Sequence, residues 1–390
     1  MSKIIEGFNI LGFHKNDGAL FLTNSNISTH NEITFQIEKA KDFNATAVFF
    51  RKLLNGSYQP QVYLYDFTDK DFNSDHENIL TKLQKNIWTS GVVPIACFFF
   101  KTVIKIIDCT THITDEYKPT YLIENLKITG KAHKLYNEQF AIKIKSGVFW
   151  EDDEVKNRFK FSNNSSYNKL IKNIKFIIAE LMEKHKDLES SFLNKIIVQS
   201  RLIRYLEERI DSNGNELLSD KYFKQFSNSL TFTDVLKNGK FVDLLNSLND
   251  EKTGFNGNVF QWSIVEQKML DKLDLSFLAN LLETNISSLK SGQIEIWRYF
   301  EFKYIPVELI SRLYEEFLGS NKKEKGLYYT PSHLVKLLVD ESLPLHKYNE
   351  IDLDNYKILD PACGSGIFLV SAYKRIIDWW RVSNYEKTGK

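Results

Sequence analysis

One segment near the end of the 390-residue sequence restricts the fold more than any other. A short apolar run at 356–359 leads directly into Asp360 and then into the pair Gly364 and Gly366. One apolar helical face follows, formed by Phe368, Leu369, Ala372, Ile376 and Trp379. The pattern predicts a strand, a glycine turn and a helix, a geometry in which backbone amides approach a nucleotide-like ligand. Taken alone, a glycine pair is weak evidence, because surface turns use the same residues.

A second motif stands upstream of this segment. The sequence GLYYTP at 326–331 precedes a predicted helix that begins near Ser332 and carries Leu334, Val335 and Leu338. Together with DPACGSGIF at 360–368, it resembles the donor-binding motifs of adenine-specific DNA methyltransferases of restriction–modification systems. The resemblance implies S-adenosylmethionine as the methyl donor and a Rossmann-like methyltransferase fold at the end of the chain.

The resemblance also assigns a donor site. Its residues are Tyr328, Tyr329, Thr330, Pro331, Asp360, Pro361, Ala362, Cys363, Gly364, Ser365, Gly366 and Phe368. Asp360 would accept a hydrogen bond from the donor, the glycines would let the backbone approach, and Phe368 would pack by the adenine ring. We expect Cys363 to be a small space-filling residue, because methyl transfer needs no covalent enzyme intermediate.

The same resemblance extends further upstream and identifies the relatives as the type IIG kind. Residues 255–260 and 305–318 are similar to stretches that precede the methylase core in those single-chain proteins. In such enzymes the exocyclic amino nitrogen of a flipped adenine attacks the sulfonium methyl group. An Asn or Asp-Pro-Pro-Tyr or Phe loop polarises that nitrogen, and the sequence contains no Pro-Pro pair. No catalytic residue is therefore assigned, and we expect a truncated or split protein that is inactive alone.

The first 150 residues predict a mixed α/β domain. Strands are expected at 47–50, 62–65, 92–100 and 103–107, and a helix at 77–88 that Gly91 closes. The strands at 62–65 and 92–100, with this helix between them, would form a βαβ-like unit.

The middle of the chain predicts a helical domain over 163–319. Amphipathic periodicity runs through 170–181, 192–206, 263–284 and 306–318. A charged connector at 321–325 separates it from 326–390, the start of the methyltransferase domain. The predicted fold class is thus α/β plus mainly α, with only the first strand–helix unit of the Rossmann-like part.

Composition restricts the partners less than the motifs do. The net charge is +1, from 51 basic and 50 acidic residues, so DNA binding has to be argued locally. The longest apolar run, 92–100, is far too short to span a membrane. Three scattered cysteines form no disulfide or metal pattern and fit a cytoplasmic protein. The expected partners are double-stranded DNA and a second chain that supplies the rest of the methyltransferase domain.

The front of the chain leaves a nuclease as an open question. Three Glu-x-Lys tripeptides occur, at 116–118, 266–268 and 301–303, and none follows an aspartate-bearing buried strand. A docking or DNA-contacting role is favoured over a nuclease. Two readings of the whole chain stay open as well: a non-catalytic DNA-binding or partner-docking module with a vestigial donor motif, and methylation of RNA or of a protein glutamine.

Overall fold

A computed structural model describes most of the chain in two compact units. The described residues are 7–14, 19–24, 31–53, 58–113, 118–127, 131–158, 166–184, 188–211, 214–250, 254, 259–283, 304–305, 330, 332–344, 347–348, 350, 352, 355–363 and 366–388. One unit comprises Met1–Asn168 and Thr330–Lys390, and the other comprises Lys169–Tyr329. The three predicted domains remain predictions, because units defined by spatial contact need not coincide with independently folding domains.

The first unit contains a mixed six-stranded sheet. Its strands are β1 (Leu20–Leu22), β2 (Ala47–Lys52), β3 (Tyr58–Phe67), β4 (Ile95–Phe100), β5 (Val103–Asp108) and β6 (Tyr121–Lys127). They lie in sequence order, and β3 and β4 pair in parallel while the other neighbours pair antiparallel. The strands predicted at 47–50, 62–65 and 103–107 are confirmed. The one predicted at 92–100 begins later, at Ile95, after Pro94.

Helices cover the sheet and make its parallel connection. They are α1 (Asn31–Asp42), α2 (Ser74–Ser90), α3 (Lys131–Ser146), α4 (Val148–Glu151) and α5 (Asp153–Arg158). The helix α2 joins β3 to β4, because parallel neighbours need a crossover. It ends at Gly91, whose φ of 64° lies in the left-handed region that glycine adopts without strain. The predicted βαβ-like unit and its closing glycine are confirmed.

Apolar side chains on one face of the sheet form a continuous core. Val62, Leu64, Ile95 and Phe99 lie fully buried in it, and Phe8 meets Phe99 edge to face with 5.0 Å between ring centroids. Residues 61–65 of β3 are all buried, and Val62 and Leu64 share this face because side chains two apart on a strand point the same way.

The second unit is helical where it is described. Its helices are α6 (Ser166–Lys184), α7 (Ser190–Glu207), α8 (Asp220–Phe223), α9 (Phe232–Lys237), α10 (Phe241–Leu248), α11 (Ile264–Leu270) and α12 (Ser276–Glu283). The amphipathic stretch at 263–284 forms two helices rather than one. The stretch at 306–318 and the connector at 321–325 lie outside the described residues.

Two further helices belong to the first unit. They are α13 (Ser332–Ser342) and α14 (Ile367–Thr388), and both were expected from the sequence. The strand predicted at 356–359 is wrong, because no strand of the described residues pairs with this segment. A strand needs a neighbour for its hydrogen bonds, and here Leu359 is 86% exposed. In the described part of the chain, every helix is too short or too polar to cross a lipid bilayer.

Candidate functional site

The glycine loop at 360–366 leads straight into α14. The amide of Gly366 donates to the carbonyl of Cys363 over 2.7 Å, which closes a tight turn. Gly366 has a φ of 77°, and no atom lies within 4 Å of the position that a Cβ would take. The backbone conformation therefore requires glycine there, and the space beside it is open.

Asp360 begins this loop, and its two carboxylate oxygens have different surroundings. Oδ1 accepts a hydrogen bond from the amide of Ala362 over 3.1 Å, so the carboxylate is held by its own loop. Oδ2 is buried and has no hydrogen-bond partner among the described residues. A buried acceptor without a partner costs free energy. A ligand that donates a hydrogen bond at this position would remove that cost.

The other predicted site residues divide into described and undescribed ones. Pro361, Ala362 and Cys363 are exposed, and Phe368 and Thr330 are partly buried. The thiol of Cys363 is exposed, and its role as a small space-filling residue rather than a nucleophile stays a prediction. The remaining predicted donor residues lie outside the described residues: Tyr328, Tyr329, Pro331, Gly364 and Ser365.

The helix α13 buries a narrower face than the sequence suggests. Val335 and Val339 are buried, whereas Leu334 and Leu338 are 43% and 50% exposed. Residues four apart lie on one face of a helix, so the buried stripe follows Val335 and Val339. The leucines form an exposed apolar surface instead, and Leu337 extends it.

Side chains at the far end of α13 tie it to α14. The guanidinium of Arg375 donates to the carboxylate of Asp340 and to the carbonyl of Leu343. Four residues further along α14, the indole Nε1 of Trp379 donates to the carbonyl of Pro344 over 3.3 Å. All of these contacts lie in the last turn of α13 or directly after it, so they fix this end of α13 against the middle of α14.

Each helix of this pair begins at the end of one of the two sequence motifs. The start of α13 follows Thr330 and Pro331, and the start of α14 follows Gly366. Arg375 lies eight residues after the first residue of α14, and Asp340 lies eight after the first of α13. The ion pair therefore joins the two helices at the same distance from their starts, eight residues along each helix.

Sequence reasoning missed this tie. Asp340 and Arg375 are 35 residues apart, and no helical or strand period relates them. Trp379 was expected on the buried face of α14, and it is fully buried. Its ring also meets Tyr356 edge to face, with 6.0 Å between centroids, which holds the segment that leads to Asp360.

The described residues contain no group of three or more histidine, cysteine, aspartate or glutamate side chains suited to a metal ion. Of the three Glu-x-Lys tripeptides, the one at 266–268 lies in α11, where Glu266 caps the helix and pairs with Lys195 over 3.2 Å. The tripeptides at 116–118 and 301–303 include residues outside the described set. Whether the front of the chain cuts DNA stays untested.

The last part of the chain matches a known protein family. Residues 307–387, which include α13, the glycine loop and most of α14, match the model of the N-6 DNA Methylase family. The resemblance to DNA methyltransferases of restriction–modification systems is confirmed. The match covers both sequence motifs that carried the prediction.

Two curated relatives agree with this family. The chain is 34% identical over 117 residues to the type I restriction enzyme MjaIX methylase subunit of Methanocaldococcus jannaschii, covering 29% of this chain and 17% of the relative. It is 26% identical over 251 residues to the type II restriction enzyme and methyltransferase RM.Eco57I of Escherichia coli, covering 58% and 23%. The chain thus spans about a fifth of the length of the curated relatives it matches.

One solved structure is also similar. It is the type IIG restriction endonuclease BpuSI, at 13% identity, with 91% of this chain and 39% of that chain covered and a TM-score of 0.23. At that TM-score the likeness carries no argument about the fold.

Proposed function

We propose that this chain provides the donor-binding part of an adenine-specific DNA methyltransferase in a restriction–modification system. The observation that carries the proposal is the carboxylate of Asp360, which has a buried oxygen without a partner among the described residues, at the start of a glycine loop inside the family match. S-adenosylmethionine fits this position, because its ribose hydroxyls and amino groups are hydrogen-bond donors.

The roles of the site residues follow from their chemistry. Asp360 would accept a hydrogen bond from the donor, and Gly364 and Gly366 would let the backbone approach it. Phe368 would pack by the adenine ring, and the segment Tyr328–Pro331 would line the pocket. When bound, S-adenosylmethionine supplies a methyl group on a positively charged sulfur to an adenine amino group.

We further propose that the chain does not transfer methyl groups by itself. The sequence contains no Pro-Pro-aromatic loop to polarise the adenine amino group. A second chain or a further segment would complete the site. The exposed apolar surface of Leu334, Leu337 and Leu338, together with Leu359, supports this, because contiguous exposed apolar surface marks interaction sites. Double-stranded DNA is the proposed substrate, and the three scattered cysteines of the sequence fit a cytoplasmic location.

Donor binding tests the proposal directly. S-adenosylmethionine would be titrated into the chain and followed by saturation-transfer NMR, which detects weak complexes, with S-adenosylhomocysteine as competitor. We expect weak, saturable binding that Asp360→Asn lowers about tenfold, since a hydrogen bond to a charged group contributes about 1.5–3 kcal/mol.

The control variant is Asp271→Asn, which changes an exposed carboxylate in the second unit. It should bind the donor as the wild type does. Complete absence of donor binding by the wild type would favour the non-catalytic module with a vestigial motif. Tight binding would contradict an incomplete site.

A further inference from the structure

We infer that Arg375 is a positioning residue of the donor site: it fixes the end of α13 against α14 and so sets the start of α13 relative to the glycine loop that precedes α14. This inference rests on the proposed function. Arg375 does not belong to either motif, and it lies about 12 Å along α14 from the glycine loop, at 1.5 Å per residue. It would therefore act through the helix and not by touching the donor.

One guanidinium holds two different acceptors at the end of α13. The carboxylate of Asp340 lies in the last turn of the helix, and the carbonyl of Leu343 follows directly after its last residue. Carbonyls at a helix C-terminus lack partners within the helix, and a cation is favourable there. The planar fork of arginine presents its N–H donors to two acceptors in a fixed geometry, whereas the donors of a lysine ammonium rotate on a flexible stem.

The tie is partly shielded from water. The side chain of Arg375 is 15% exposed, and that of Asp340 is 36% exposed. Surface ion pairs contribute little because water and salt screen them, and a shielded pair with a second hydrogen bond is more specific in its geometry. Arg375 is thus suited to select one alignment of the two helices.

Trp379 extends the same alignment to a third segment. It lies one turn beyond Arg375, is fully buried, donates to the carbonyl of Pro344 and packs against Tyr356. Asp360 follows Tyr356 by four residues. One turn of α14 therefore fixes three parts of the fold relative to one another: the start of α13, the glycine loop and the segment before Asp360.

A displacement of α13 along α14 at this turn would displace the start of α13 by the same distance. A helix moves as a rod, so a slip by one turn at Arg375 would shift its start by about 5.4 Å. Binding geometry is sensitive to misplacements of about 1 Å. Loss of the tie should therefore weaken donor binding more than it lowers stability.

The test measures donor binding and stability together on the full chain. The variants are Arg375→Met, Arg375→Lys and the charge exchange Asp340→Arg with Arg375→Asp. S-adenosylmethionine affinity is followed by saturation-transfer NMR, and unfolding is followed in urea. We expect Arg375→Met to lower donor affinity on the order of tenfold, Arg375→Lys to lie between it and the wild type, and the exchange to restore part of the loss.

Two controls separate positioning from stability. Arg381→Met removes an exposed arginine from the same helix and should leave affinity unchanged. Asn73→Ala removes the N-cap of α2, in the sheet domain, and should lower stability without changing affinity. The backbone amide resonance of Gly366 gives a readout without donor, and it should shift in Arg375→Met and not in either control.

The outcomes are distinguishable. Wild-type affinity in Arg375→Met with an unshifted Gly366 resonance would overturn this inference and leave the proposed function standing. Affinity that falls in proportion to stability in every variant, Asn73→Ala included, would also overturn it. A wild-type chain that binds no donor would overturn the proposed function and this inference with it.

Discussion

The pKa of Asp378, a carboxyl group on α14, depends on its burial and on the cations near it. Burial raises the pKa of Asp378 above its usual value of 3.8, and the nearby cations Arg375, Arg381 and Lys39 lower it only in part. A carboxyl group whose pKa is raised in the folded state holds its proton more firmly there than in the unfolded chain. Stability should therefore fall as the pH rises through the window above 3.8.

Replacing this carboxyl group by an amide predicts a pH-dependent gain. Asp378→Asn should raise the free energy of unfolding at pH 7, because a buried charge is removed, and the gain should vanish as the pH falls towards 3.8. Urea unfolding at several pH values measures the difference. Asp71→Asn is the control, since its ion pair with Lys101 is exposed and contributes little. A less stable Asn variant at pH 7 would mean that the cations outweigh burial.

At the scale of elements, α2 is fixed to the sheet by one buried amide. Gln84 donates from Nε2 to the carbonyl of Asp108 over 2.9 Å and to that of Thr111 over 3.2 Å. Its Oε1 accepts from the amide of Thr120 over 2.7 Å. A single side chain thus satisfies three backbone groups, one in the last residue of β5 and two in the connection between β5 and β6.

Loss of this amide should be costly. Gln84→Leu keeps a similar volume and leaves buried backbone groups unsatisfied, so the free energy of unfolding should fall by about 2–3 kcal/mol. The control is Lys82→Leu, two residues away on the exposed side of α2, with an expected change within about 0.5 kcal/mol. Urea denaturation of the two variants decides it. Equal stabilities would show that water replaces the amide.

The elements that the sequence predicts well are those with a local signal. The helix α2 shows apolar spacing and a closing glycine, and β3, β4 and β5 are runs of β-branched and aromatic residues. Both donor motifs precede helices at the expected residues, Ser332 and Ile367. These features need no knowledge of distant partners.

Elements that depend on distant partners were missed or mistaken. Strand β1 has three residues, too few for an alternation, and β6 lies at the sheet edge with Glu124 and Asn125 exposed. The run at 356–359 has strand composition and no neighbouring strand among the described residues. The roles of three residues depend on partners far away in sequence: Gln84, Asp340 and Arg375. A local sequence pattern therefore cannot predict these roles.

At the scale of the whole molecule, chain order and spatial order differ. The helical unit Lys169–Tyr329 lies in sequence between the two parts of the sheet-containing unit. The family match at 307–387 begins before Thr330, where the second part of that unit starts, and ends in α14. The donor motif at 326–331 therefore spans the boundary between the two units in sequence, and it lies directly before α13.

The net charge of the whole molecule predicts how tightly it binds DNA without regard to sequence. Basic and acidic residues nearly cancel, at 51 against 50, so few phosphate contacts are expected from general attraction. We expect this chain to bind a random DNA duplex no more tightly than about 1 µM near physiological salt, the usual range for non-specific binding. Fluorescence anisotropy with a labelled duplex measures this, and repeating the titration at several salt concentrations gives the number of phosphates contacted. Nanomolar binding with a steep salt dependence would reveal a basic DNA-binding surface that the overall charge conceals, and would move the proposed DNA contact onto these 390 residues.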